Sequence, residues 1–174
     1  MLTGLLAAGA SLAIPARGEA QGGSGAAPVN GVLKATDLGG LFPGQVFFRG
    51  QSASVQLRNS GGVRYDDGML TMAALVDTSG YSSNVQQKYQ GYLISEVPLV
   101  IGGKKLPAGE YGVGFIEGNT FLVMDVGAHD LLKTGSTHDA ELRRPTPLQI
   151  IAAPEAGQYR LYFGRNYVTL APGS

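Results

Sequence analysis

The stretch "KKLPAGEYGVGF", residues 104–115, indicates most clearly how this chain folds. Pro107 fixes its own φ at a value suited to a turn, so the two lysines lead into a reversal of the chain. A tyrosine, a valine and a phenylalanine then alternate with glycines, which is the period-two pattern of a β-strand with one face in a core. Gly112 and Gly114 lie on the opposite face, where we expect other atoms to approach the backbone closely. The stretch therefore predicts a turn that leads into a strand.

Outward from this stretch, the chain repeats short extended segments with turn signals between them. The pattern recurs in "PEAGQYRLYF", residues 154–163, which then forms a predicted C-terminal hairpin with "YVTLAP" across the turn "GRN". "MLTMAALV", residues 69–76, is apolar on both faces, which is typical of a central strand. "NSGG" and "YDDG" are turn signals. The spacing of strands and turns predicts an antiparallel β-sandwich or barrel.

Helical patterns are few. "SSNVQQKYQGYL" carries apolar residues at helical spacing behind a serine that can begin a helix. We therefore expect an all-β protein with at most two short helices.

Part of the chain also resembles known extracellular proteins. "LPAGEY" resembles the Leu-x-Pro-Gly-x-Tyr signature of extracellular Greek-key β-sandwich modules. "IGGKKLPAGEYGVGF", residues 101–115, resembles the signature hairpin of a family of uncharacterised secreted bacterial β-sandwich proteins, with the pattern Gly-Gly-Lys-x-Leu-Pro-Ala-Gly-x-Tyr. The resemblance implies a β-sandwich whose tyrosine hydroxyl holds a neighbouring connection, and it implies no chemistry.

Composition excludes several classes of site and partner. The 174 residues contain no cysteine, so disulfides and thiolate metal sites are excluded. The 13 basic and 13 acidic side chains balance, so there is no electrostatic footprint for nucleic acid or an acidic membrane. Tryptophan, the commonest sugar-stacking residue, is absent, although eight tyrosines can take that role.

The N-terminal sequence predicts export. "LTGLLAAGASLAIPA" is an apolar run followed by "RGEAQ", which matches a secretory signal with cleavage after Gly18 or Ala20. The run is shorter than the ~20 apolar residues of a membrane span, and Pro15 interrupts it. The alternative is an N-terminal helix packed in the core. We expect a signal peptide at 1–20, a flexible linker at 21–31, one domain at 32–174, and a secreted or periplasmic location.

The strongest catalytic pattern is "ALVDTSG", residues 74–80. Aspartic proteases carry their acid in a hydrophobic-hydrophobic-Asp-Thr-Gly loop, where two carboxylates share a proton and activate water. A single copy centred on Asp77 would require a homodimer. Ser79 is inserted before the glycine of the loop, and an Asx turn at the end of a buried strand explains the same letters.

Two further groups of residues are weak candidates for binding. The two histidines, His129 and His138, lie with Asp130 in an acidic segment and offer ligands for a metal, although no compact ligand spacing occurs. Surface loop residues explain them equally well. Three tyrosines, which we expect on the surface, cluster with glutamines in a mixture suited to polar ligands. Partly buried strand tyrosines are the alternative. This second group comprises Tyr81, Gln86, Tyr89 and Tyr92.

These patterns favour an exported binding or structural module without enzymatic activity, and a dimeric aspartic protease-like hydrolase is the alternative. We expect no cofactor. A protein or a glycan is the expected partner, and neither nucleic acid nor a membrane span is expected. A third hypothesis is self-association, in which the N-terminal segment adds as a strand to an open sheet edge of a neighbouring copy.

Overall fold

The structure, a computed structural model, describes residues 31–174. The predicted signal peptide at 1–20 and all but the last residue of the predicted linker at 21–31 lie outside the described residues. The strands are β1 (Gly31–Lys34), β2 (Gln45–Phe48), β3 (Gln51–Arg64), β4 (Leu70–Val76), β5 (Gly91–Ser95), β6 (Leu99–Ile101), β7 (Lys104–Leu106), β8 (Gly109–Ile116), β9 (Thr120–Met124), β10 (Asp130–Gly135), β11 (Thr137–His138), β12 (Thr146–Ala152), β13 (Tyr159–Gly164) and β14 (Asn166–Pro172). The helices are a 3-10 turn (Ala35–Asp37) and α1 (Ser83–Gln86).

These strands form two antiparallel sheets. The large sheet has the order β1-β3-β4-β5-β8-β9-β10, and β2 pairs with the first part of β3. The small sheet has the order β12-β13-β14-β6-β7, and β11 pairs with β14. The prediction of an all-β sandwich with at most two short helices is confirmed, as is the C-terminal hairpin of β13 and β14.

The large sheet is covered on both faces. One face packs against the small sheet around Val113, Phe121, Leu161 and other apolar residues. The other face is covered by residues 35–48 and 77–90, which form a second apolar cluster with the sheet. Because both faces are buried, β4 lies in the middle of the sheet as a continuous apolar run, which confirms the central strand predicted at 69–76.

Residues 104–115 form the corner where the chain passes from the small sheet to the large sheet. β6 and β7 form a hairpin in the small sheet, and the chain then crosses at Pro107 to β8 in the large sheet. The Tyr111 hydroxyl donates a hydrogen bond to the Pro107 carbonyl at 2.8 Å, which fixes this crossing.

The close approach expected at the glycines of β8 is confirmed. A Cβ atom on Gly112 would overlap the ring of Phe48, and one on Gly114 would overlap the carbonyl oxygen of Lys88. Both contacting residues belong to the segments that cover the outer face of the large sheet. The glycines therefore let these segments lie directly on the backbone of β8.

The edge strands of the two sheets are linked to each other by side chains. Lys104 Nζ of β7 donates to the carbonyl of Lys133 in β10 at 2.6 Å, and the Thr134 hydroxyl donates to the carbonyl of Gly102 at 3.1 Å. Lysine side chains at an exposed edge disfavour pairing with another chain. Self-association through an edge stays a prediction.

Candidate functional site

Asp77 lies at the end of β4 in a turn. Its Oδ1 accepts the backbone N–H of Ser79 at 3.0 Å, which is the geometry of an Asx turn. This hydrogen bond holds the pKa of the exposed Asp77 carboxyl below its usual range. The turn accounts for the pattern "VDTS" without catalysis.

The three tyrosines of the predicted binding cluster are buried, so the prediction that they lie on the surface is wrong. Tyr81, Tyr89 and Tyr92 are only 7%, 0% and 1% exposed, because residues 77–90 fold onto the outer face of the large sheet. Tyr89 stacks on Phe48 with ring centroids 3.8 Å apart. The amide of Gln86 donates to the carbonyl of Tyr81 at 2.7 Å and supports the turn before α1.

His129 belongs to the turn between β9 and β10. Its Nδ1 lies 2.9 Å from Oδ2 of Asp125, whose Oδ1 also accepts the backbone N–H groups of Gly127 and His129. These bonds, led by the one from the His129 backbone, hold the pKa of the Asp125 carboxyl below its usual range. The contacts describe a capped turn.

The other two metal candidates have different neighbours. Asp130 forms ion pairs with Lys88 at 3.4 Å and with Lys133 at 2.8 Å. His138 lies in the small sheet, where its Nδ1 is 2.9 Å from Oδ1 of Asn166. Within residues 31–174, no group of three or more His, Cys, Asp or Glu side chains is placed to hold a metal ion.

A cleft of about 680 Å³ opens at one end of the sandwich. In this fold β3, β5 and β14 end there, and β6 and β13 begin there, so residues far apart in sequence meet at this end. Its volume is in the range of small-molecule sites. The lining residues are Gly31, Arg64, Tyr65, Asp66, Asp67, Val97, Pro98, Gly157, Tyr159, Pro172 and Gly173.

Arg64, the last residue of β3, supplies the positive charge of the cleft. Its Nε is buried and has no hydrogen-bond partner among residues 31–174. No described carboxylate lies within 4.0 Å of its guanidinium. A buried donor without a partner costs about 1–3 kcal/mol, and an arginine offers five donors in a planar fork. The cleft therefore presents an arginine with unused hydrogen-bonding capacity.

A chain of buried hydroxyls connects two lining residues, Tyr65 and Val97, beneath the cleft. The Tyr65 hydroxyl donates to Thr71 Oγ1 at 2.9 Å, Thr71 and Ser95 hydroxyls lie 2.8 Å apart, and Ser95 donates to the carbonyl of Val97 at 2.7 Å. With each hydroxyl donating to the next, every proton in the chain has an acceptor. Burial raises the pKa of Tyr65 to about 12. The chain joins the turn after β3 to β4, β5 and the segment before β6.

Aromatic and backbone contacts close the walls. Tyr159 of the small sheet meets Tyr65 of the large sheet edge to face, with ring centroids 6.3 Å apart. The backbone N–H of Gly173 donates to the carbonyl of Pro98 at 2.7 Å, which fixes the end of β14 against the start of β6. Both sheets therefore contribute to one preformed site.

The rim carries two carboxylates on the turn between β3 and β4. Asp67 Oδ1 accepts the backbone N–H of Met69 at 3.0 Å. Asp66 is exposed and forms no ion pair with a described residue. The cleft thus combines one cation, two carboxylates and two tyrosines.

The local sequence did not predict this site. "YDDG" is a turn signal, although Arg64 directly precedes it. A charged side chain at the end of a strand, followed by a tyrosine and two aspartates, was the available signal. The partner segments around Val97, Tyr159 and Pro172 are distant in sequence and give none.

Comparisons with protein-family models, curated proteins and solved structures found no match for this chain. None of the helices in residues 31–174 has the length and apolar character required to cross a bilayer. What the protein does is therefore inferred from the chemistry of the cleft.

Proposed function

We propose that this protein is an exported binding module without enzymatic activity, and that the cleft at the end of the sandwich is its binding site. The observation that carries the proposal is the Arg64 side chain, which lines the cleft and forms no ion pair with a described residue. A ligand that accepts hydrogen bonds from the terminal nitrogens of Arg64 would use donors that the described residues leave free.

The rigid walls of the cleft support binding. The hydroxyl chain from Tyr65 to Val97 and the bond from Gly173 to Pro98 hold the walls in place before a ligand arrives. A preformed site loses less conformational entropy when it binds.

The chemistry of the lining offers no side chain for nucleophilic catalysis by an aliphatic hydroxyl or a thiol. No histidine, cysteine, serine or threonine lines the cleft. In the hydroxyl chain beneath it, each proton is donated to the next oxygen or to the Val97 carbonyl, so none of the hydroxyls is paired with a base. A nucleophile in an enzyme needs such a base or a lowered pKa.

The proposal is tested by titrating the ¹⁵N-labelled full chain with a mixture of small probes: amino acids, carboxylic acids, sugars and nucleosides. We expect backbone amide shifts to concentrate at Gly31, Gly157 and Gly173, which line the cleft. Arg64→Gln should abolish these shifts, whereas Arg58→Gln, an exposed change on the same strand, should preserve them. Shifts that map elsewhere, or no shifts with any probe, would contradict the proposal.

Export is tested by expressing the full gene product in a bacterium and sequencing the N-terminus of the protein in each fraction. We expect a mature chain in the periplasm or medium that begins after Gly18 or Ala20. An uncut chain confined to the cytoplasm would contradict this part of the proposal.

The hydrolase alternative is distinguished by a peptide-cleavage assay at acid pH. A binding module should show no cleavage with either the wild type or Asp77→Asn. Cleavage by the wild type that is lost in Asp77→Asn, with the fold intact, would establish the alternative instead.

A further inference from the structure

We infer that the ligand of the cleft is a neutral oligosaccharide. This inference rests on the proposed function, because it names the ligand class for the same site. The reasons are the charge pattern of the lining, its aromatic surfaces and its open shape.

The charges of the cleft favour a ligand that both donates and accepts hydrogen bonds. Arg64 only donates, and the carboxylates of Asp66 and Asp67 only accept when ionised. A simple anion would meet Arg64 but be repelled by two carboxylates. A simple cation would meet the carboxylates and leave the Arg64 donors unused. Sugar hydroxyl groups do both, so one neutral ligand satisfies both kinds of side chain.

The aromatic surfaces fit the apolar faces of sugar rings. Tyr65 and Tyr159 both line the cleft, are partly exposed and contact each other edge to face. Pro98 and Pro172 add rigid apolar surface beside them. A sugar ring presents C–H groups on its faces and hydroxyls at its edge, which matches apolar walls with polar groups at the rim. In a chain without tryptophan, these tyrosines supply the stacking surface.

The shape suits a chain of sugar units better than a single one. The cleft holds about 680 Å³ at the end of the sandwich, a volume suited to ligands larger than a single sugar ring. Its lining offers both tyrosine rings and the Arg64 guanidinium. An oligosaccharide can reach both.

The test is calorimetric titration of the full chain with a panel of trimeric probes. The neutral probes are maltotriose, cellotriose, mannotriose and tri-N-acetylchitotriose, trigalacturonate is the anionic probe, and triglycine is the zwitterionic probe. We expect at least one neutral trisaccharide to bind. Arg64→Gln and Tyr159→Ala should each weaken it by about tenfold or more, and Asp66→Asn by severalfold. Arg58→Gln should leave the affinity unchanged.

Folding and catalysis are controlled in the same samples. Urea unfolding of each variant shows whether a loss of affinity reflects a loss of structure, and Asp66→Asn serves as a second probe because its side chain is exposed on a turn. Reducing ends are counted after incubation, since their release would mean hydrolysis in place of binding and would overturn the inference.

The other outcomes of the titration decide whether the ligand is a neutral glycan and whether the cleft is its binding site. Binding of only trigalacturonate or triglycine would overturn the neutral-glycan inference and leave the binding function of the cleft in place. Binding of none of the trisaccharides would also overturn it, while the mixed-probe titration still decides whether the cleft binds any ligand. Neutral binding that Arg64→Gln does not change would overturn the assignment of the site.

Discussion

Glycine residues on β8 determine how closely the covering segments approach the large sheet. At Gly114 the carbonyl oxygen of Lys88 occupies the space that a Cβ atom would need. Because the obstructing atom belongs to the backbone, it cannot move aside by a change of rotamer. The sequence pattern of alternating glycines therefore reports a packing contact that is formed by a distant segment.

This contact predicts a large effect of one methyl group. Gly114→Ala should destabilise the fold by roughly 1–3 kcal/mol or more, since it forces the segment at Lys88 away from β8. Gly135→Ala is the matched control, because Gly135 also lies in a strand but no atom lies within 4 Å of the added Cβ. Urea unfolding midpoints measure both. Equal midpoints for the two variants would contradict this account of β8.

A second prediction at the residue scale concerns Tyr89, which is fully buried while its hydroxyl has no partner among residues 31–174. Tyr89→Phe should leave stability at neutral pH unchanged or raise it, because it removes a polar group that burial has desolvated. Burial also raises the pKa of Tyr89. The folded state therefore holds the Tyr89 proton more tightly than the unfolded state does. This difference contributes fully to the free energy of unfolding below pH 10, and the contribution is lost as the pH rises further.

The measurement is urea unfolding at about pH 7 and about pH 11. The wild type should lose more stability than Tyr89→Phe between the two values. A Tyr89→Phe variant with the same pH dependence as the wild type would refute the prediction.

At the scale of elements, the hydroxyl chain joins the turn after β3 to strands β4 and β5 of the large sheet beneath the cleft. Thr71 stands at its centre, with Tyr65 on one side and Ser95 on the other. Its removal would leave the Tyr65 hydroxyl without its acceptor. The chain therefore links the stability of β4 to the shape of the cleft.

Thr71→Val tests this link, because it keeps the shape of the side chain and removes the hydroxyl. We expect a loss of about 1–3 kcal/mol in the free energy of unfolding, together with weaker binding of any cleft ligand. Thr169→Val, on a strand of the small sheet outside the cleft lining, is the control and should change neither. If Thr71→Val matched Thr169→Val in stability and binding, the proposed role of the chain would be wrong.

Individual strands are the part of this fold that the local sequence predicted well. The double apolar face of 69–76 and the alternation after Pro107 are signals within a few residues, and the structure has strands at both. Tyr81, Tyr89 and Tyr92 were misassigned because tyrosines mixed with glutamines resemble an exposed face. Their burial depends on residues 77–90 lying against the outer face of the large sheet, which no local pattern specifies.

At the scale of the whole molecule, the two sheets differ in what covers them. The large sheet is packed on both faces, while the small sheet has its inner face in the core and carries Arg160 over the ring of Tyr167 on the other. Segments that are distant in sequence meet at the end of the sandwich, where strands of both sheets begin or end. The cleft arises at such an end, so its lining was not predictable without the topology.

The measurement we would make first follows the Nε–H resonance of Arg64 in the ¹⁵N-labelled full chain, assigned by its loss in Arg64→Gln. The resonance is observed as the mixed probes and then the trisaccharides are added. We predict that it shifts with the ligand that binds, together with the glycine amides of the cleft, because a ligand on the terminal nitrogens of Arg64 changes the environment of the whole guanidinium group. If a ligand binds and this resonance does not move, the cleft is not the binding site of this protein.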